Sequence, residues 1–174
     1  QMDDLQGVVS VVNDAIKSEL KDTKKWRHSQ ICITDNIPEA QPMIMQGDRI
    51  ALSRGGILVM QGKAKAFKSF AVSGIVSAIE DDCLGFTMTE GVEKILYIDT
   101  EQASSHVKKV LVRIYRLCGW SQEYDNEKIT MLAVREFNAS ERLEVIKEAI
   151  DDLRPDIVVI DGIRDLLADF NDVK

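Results

Sequence analysis

Apolar positions change their spacing several times along this chain, and each change marks an element. Leu5, Val8, Val9, Val12, Ile16 and Leu20 recur at helical spacing and predict an amphipathic helix over residues 3–20. Residues 21–42 turn polar, then carry Pro38 and Pro42, which marks an extended linker. Apolar runs on both sides of Gln46-Gly47-Asp48 predict a hairpin. Ile57-Leu58-Val59-Met60 is a continuous apolar run, as in a strand buried on both faces. A helix from Ser69 to about Glu80 is predicted by Phe70, Val72, Ile75, Val76 and Ile79. Ile95–Asp99 reads as a strand and Ser104–Cys118 as a helix, closed by Gly119 as its cap. Ile129–Val134 is the next strand. Asn138-x-x-Glu141 has the form of a capping box and opens a helix carrying Leu143, Ile146, Ile150 and Leu153. Ile157–Ile160 is a last apolar strand, ending at Asp161-Gly162.

Strands alternating with helices predict an α/β fold, with a mainly parallel sheet covered by helices on both faces. The chain divides into an N-terminal helical appendage and linker over 1–42 and a core over 43–174. Ligands of such sheets bind at the carboxyl ends of the strands, so those ends are where chemistry is sought.

Charge and cysteine content narrow the class. A net charge of −7 argues against a uniformly basic nucleic-acid surface. Lys21, Lys24, Lys25, Arg27 and His28 form a local basic cluster that reads as a solvated loop. Cys32, Cys83 and Cys118 form no C-x-x-C pair, which fits reduced thiols and a cytoplasmic location. His28 and His106 have no ligand-like neighbours for zinc. No run approaches the ~18 apolar residues that a membrane helix needs.

Residues 62–69 read Gly62-Lys63-Ala64-Lys65-Ala66-Phe67-Lys68-Ser69. The phosphate-loop pattern is G-x-x-x-x-G-K-[ST], and only Phe67 departs from it. Such a loop gathers backbone N–H groups into an anion nest, and the following helix adds its positive N-terminal end. Lys68 would reach the β- and γ-phosphates and Ser69 would hold Mg²⁺. The phosphate-contacting set is therefore Gly62, Lys63, Ala64, Lys65, Ala66, Phe67, Lys68, Ser69 and Phe70. The plainer reading is a strand-to-helix turn that contains lysines. Phe67 is costly if the backbone there needs glycine-only angles, and harmless if it needs only helix-entry angles.

Two further strand ends carry carboxylates. Asp161 follows four apolar residues, the pattern of a strand whose Asp supports Mg²⁺ alongside the loop serine. Glu101 stands just past the strand Ile95–Asp99 and is the candidate to orient water for hydrolysis, since the residue after Asp161 is Gly162. A solvated loop carboxylate is the alternative for Glu101. Asp99 reads as structural.

Together these stretches resemble the RecA-like P-loop ATPases, in particular the hexameric helicases typified by plasmid RepA and the AAA-family ATPases of bacterial mobile elements. The resemblance rests on residues 62–69, 95–102 and 157–162, and spans roughly residues 40–165. It implies ATP and Mg²⁺ as ligands, Lys68 on the phosphates, Ser69 and Asp161 on the metal and Glu101 as catalytic carboxylate. It also implies a homo-oligomeric ring or filament and coupling to single-stranded DNA, in replication, recombination or element transfer. Members of that family continue with further strands, so the core is expected to be incomplete at its C-terminal end. Phe67 motivates an alternative, a non-hydrolysing nucleotide-sensing or assembly module with a degenerate loop. A scaffold with a vestigial loop is the third reading.

Overall fold

The computed structural model describes residues 29–63 and 67–166. The helix expected over 3–20, the basic cluster at 21–28 and loop residues 64–66 lie outside the described residues. The chain forms two compact units, Gln1–Glu39 and Ala40–Lys174. In the first, residues 30–39 contain no helix or strand. A turn there is closed by Cys32 N–H donating to the Asp35 carboxylate at 2.7 Å.

The second unit is an α/β fold built around two small sheets. β1 (Pro42–Gln46) and β2 (Arg49–Ser53) form the expected antiparallel hairpin. Gly47 takes a φ of 54° at its turn, which glycine adopts without penalty. β3 (Phe86–Met88) pairs with the other edge of β1, giving the order β2-β1-β3. The second sheet is parallel, with the order β5-β4-β6 from β4 (Ile95–Asp99), β5 (Ile129–Ala133) and β6 (Ile157–Asp161).

Among the described residues there are three α-helices: α1 (Lys68–Ser77), α2 (Ser104–Leu117) and α3 (Ala139–Leu153). α1 buries Ser73–Ser77 at its C-terminal end, α2 buries Val107, Val110, Ile114 and Tyr115 along one stripe, and α3 buries Ile146. Ile75 and Val76 of α1 and Val110 and Ile114 of α2 join Ile95, Tyr97, Ile129 and Ile157 in one apolar cluster. Ile146 of α3 packs with Leu96, Ile98 and Val134 on the opposite face. β4 is thus buried along its whole length. The capping box at α3 forms in both directions: Glu141 N–H donates to Asn138 Oδ1 at 3.0 Å, and Asn138 N–H to Glu141 Oε2 at 2.9 Å.

The strand expected at Ile57–Met60 is not formed. These residues join no sheet of the described residues, and Ile57 is 90% exposed. An apolar run becomes a strand only beside a hydrogen-bonding neighbour. The outer edge of β6, where Val158 and Ile160 are partly exposed, carries no described strand, and Ile57–Met60 does not pair with it. The expected single, mainly parallel sheet is accordingly a parallel sheet of three strands beside an antiparallel one of three.

Candidate functional site

Parallel register aligns Asp99 with Asp161, so the carboxyl ends of β4 and β6 finish side by side. Thr100 laces them together. Its N–H donates to the Asp161 carbonyl at 3.1 Å, and its hydroxyl to the Gly162 carbonyl at 2.7 Å. Gly162 lies against these groups with a φ of 94°. A Cβ there would strike the Thr100 hydroxyl and come within 2.6 Å of Glu101 Cγ. Only glycine fits between the two strand ends, and its bareness lets the Glu101 side chain lie across the residue that follows Asp161.

The N-terminus of α1 meets this edge. Ser69 Oγ donates to Asp161 Oδ2 at 3.1 Å, across 92 residues of sequence. Tyr97 donates its phenol to the same oxygen, also at 3.1 Å. Tyr97 is fully buried, and burial, the Asp161 charge and this hydrogen bond together push its hydroxyl pKa well above the ordinary tyrosine range. It therefore stays a donor. No described donor reaches Asp161 Oδ1, and that oxygen is not sealed from solvent. One oxygen is anchored and the other is available to a ligand.

Asp99 does something different. Its side chain accepts from the N–H groups of Glu101 and Gln102 at 3.0 and 2.8 Å, and from the Gln102 amide at 3.0 Å. It caps the loop that carries Glu101, as the structural reading expected. Arg142 of α3 binds the carbonyls of Val134, Arg135 and Asp165, which ties the turn Ile163–Leu166 to the helix.

Phe67 caps the N-terminus of α1 in the left-handed region, with φ 55° and ψ 25°. This is the position where the loop pattern calls for glycine, and the backbone takes the conformation glycine favours. A non-glycine residue pays roughly 1–2 kcal/mol there. The ring itself stands 80% exposed, directed away from the core. Lys68 follows on the first turn of α1, exposed, and Gly62 and Lys63 are exposed ahead of it. Phe70 is half-exposed, with the Arg113 guanidinium 5.4 Å above its ring. Ala64, Lys65 and Ala66 lie outside the described residues.

The structure thus brings Ser69 into contact with Asp161 and lays Glu101 against Gly162, with Lys68 one residue from Ser69. Tyr97 and Thr100 join them without having been assigned a role from sequence. Among the described residues no group of three or more His, Cys, Asp or Glu could hold a metal ion alone. One hydroxyl and one carboxylate do suit Mg²⁺ when phosphates and waters complete its octahedron. Among the described residues no helix is long and apolar enough to cross a membrane. Comparisons with family models, with curated proteins and with solved structures find no match to this chain.

Proposed function

We propose that this chain is a RecA-like P-loop ATPase core that binds ATP with Mg²⁺ and serves DNA replication, recombination or mobile-element transfer as part of a homo-oligomer. The observation that carries the reading is the contact between Ser69 and Asp161. Two residues assigned to one metal from separate motifs share a hydrogen bond at the end of a parallel strand. A bound Mg²⁺ would replace that hydrogen bond and supply counter-charge for the phosphates.

The chain's own groups then divide the work. Lys68, at the positive end of α1, neutralises charge on the terminal phosphates. Ser69 and the free oxygen of Asp161 would hold the metal, with Tyr97 fixing the carboxylate's rotation. Glu101 orients water and accepts its proton. The unpaired apolar stretch Ile57–Met60 supports an assembled state, since exposed runs of this kind are covered in working proteins.

Phe67 favours a second reading, a nucleotide-sensing module without turnover, because an exposed aromatic residue in a left-handed conformation stands where the loop pattern has glycine. Phosphate release separates the two. On the first reading the protein releases phosphate with ATP and Mg²⁺, Lys68→Ala abolishes nucleotide binding, and Glu101→Gln binds but does not turn over. A nucleotide-dependent change of oligomeric state with no phosphate release supports the second. Wild-type turnover in Glu101→Gln removes Glu101 from the mechanism.

A further inference from the structure

The outer face of α2 carries a stripe of charge that the nucleotide site does not use. Lys108, Lys109, Arg113 and Arg116, with Val112, line a shallow groove of about 370 Å³. The helix Ser104–Leu117 contains no acidic residue, in a chain whose net charge is −7. The ion pairs among the described residues are Arg54 with Asp156 and Lys128 with Glu80, so none of the four groove cations has a carboxylate partner there. Arg116 in the last turn complements the helix dipole, a task the other three do not share.

Spacing along the helix points to the ligand. Lys109, Arg113 and Arg116 follow one another at intervals of four and three residues, and Lys108, Val112 and Arg116 at intervals of four. Successive members therefore stand about one helical turn apart. A second helix with carboxylates at the same intervals presents them at the same pitch. Val112, half-buried within the stripe, offers such a helix an apolar contact. Arg113 is already held: its guanidinium donates to Ser73 Oγ at 3.3 Å and lies over the half-exposed Phe70 ring. A guanidinium fixed in advance loses less freedom when it pairs with a carboxylate.

We infer that this face of α2 docks an acidic amphipathic helix of a partner protein, with its carboxylates on Lys109, Arg113 and Arg116 and an apolar side chain against Val112. Such helices are read through anchors at i, i+4 and i+7. Charge complementarity selects an acidic partner, and the pitch of the stripe selects a helical one. The acidic helix α3 of a second copy fits less well, because Lys147 stands one turn from both Glu144 and Asp151 and would face the cations. The inference is independent of the nucleotide reading.

The test is fluorescence anisotropy of a labelled peptide with the full chain, without nucleotide, at low salt. The probe is a helical peptide of about 16 residues, with glutamates at i, i+4 and i+7 and leucine on the same face. A peptide of the same composition, with its glutamates spread round the helix, is the control. The striped peptide should bind several-fold more tightly than the control, and added salt should weaken it. Lys109→Glu and Arg116→Glu, both exposed changes, should each weaken it several-fold, whereas Lys147→Glu on α3 should not. Unchanged melting temperatures show that the variants fold, and the comparison of the two peptides needs no variant. No binding at low salt, equal binding of the two peptides, or wild-type binding by both α2 variants would overturn the proposal. Tighter binding of an oligothymidylate of equal charge would overturn it and assign the face to a nucleic acid. Self-association that Lys109→Glu abolishes would overturn it and assign the face to a second copy of this chain. None of these outcomes touches the ATP reading, since no nucleotide is present.

Discussion

Tyr97 donates its hydroxyl to Asp161 Oδ2 from the neighbouring strand, 3.1 Å away. In the parallel register Tyr97 lies opposite Val159, so Asp161 is the next residue along β6 on the same face. A tyrosine is long enough to span that diagonal, and a phenylalanine leaves the carboxylate with Ser69 alone. Hydrogen bonds to charged groups contribute about 1.5–3 kcal/mol. Tyr97→Phe should therefore lower stability by about that much in denaturant unfolding. It should weaken Mg²⁺-dependent nucleotide binding more than binding measured without metal.

The same bond sets an alkaline limit. Tyr97 holds its proton more tightly folded than unfolded, chiefly through burial and then through the Asp161 charge. Its contribution is fully present below the unfolded tyrosine value of about 10 and is lost as pH rises above it, by up to about 1.4 kcal/mol per pH unit. Melting temperatures between pH 9 and 11 should fall in the wild type, and less steeply in Tyr97→Phe. Parallel curves for the two proteins would contradict the assignment.

Phe67→Gly tests the strained entry to α1. Glycine removes a left-handed penalty of roughly 1–2 kcal/mol but gives back about 0.5–1 kcal/mol of chain entropy. The variant should be slightly more stable by thermal melting. It should also bind ATP more tightly, because it restores the glycine that the phosphate-loop pattern has at this position. Loss of stability would mean that the ring packs against something in solution.

Gly162→Ala should be the most damaging single methyl at the site. The new Cβ would meet Thr100 and Glu101 at a φ that L-residues rarely adopt. A loss of about 2–4 kcal/mol is expected. A melting curve like that of the wild type would show that the two strand ends are not packed as described.

Much of this arrangement was legible from the chain, for local reasons. Ile95–Asp99 is an apolar run that ends on a polar residue, and its boundaries agree with the structure. The Asn138–Glu141 box needs only its own residues to form. Asp161 and Glu101 stand out as candidates because ligands of a parallel sheet bind at the carboxyl ends of its strands. Other features depend on partners far away. Ile57–Met60 has the composition of a strand, but pairing is not written in composition. β3 is three residues long and borrows its register from β1. Tyr97 reads as core filler, because its partner Asp161 lies 64 residues further on. Phe67 is a mixed case. The loop pattern left open whether its backbone needs glycine-only angles, which the left-handed φ of 55° answers, and it said nothing of where the ring would go.

The central claim concerns the Ser69–Asp161 edge as a nucleotide and metal site. Calorimetric titration of ATP into the protein, with Mg²⁺ and again with EDTA, tests it most directly. Saturable heat is expected with Mg²⁺, with marked weakening in EDTA and loss in Lys68→Ala. Folded protein that gives neither heat nor a thermal shift with ATP and Mg²⁺ would contradict it.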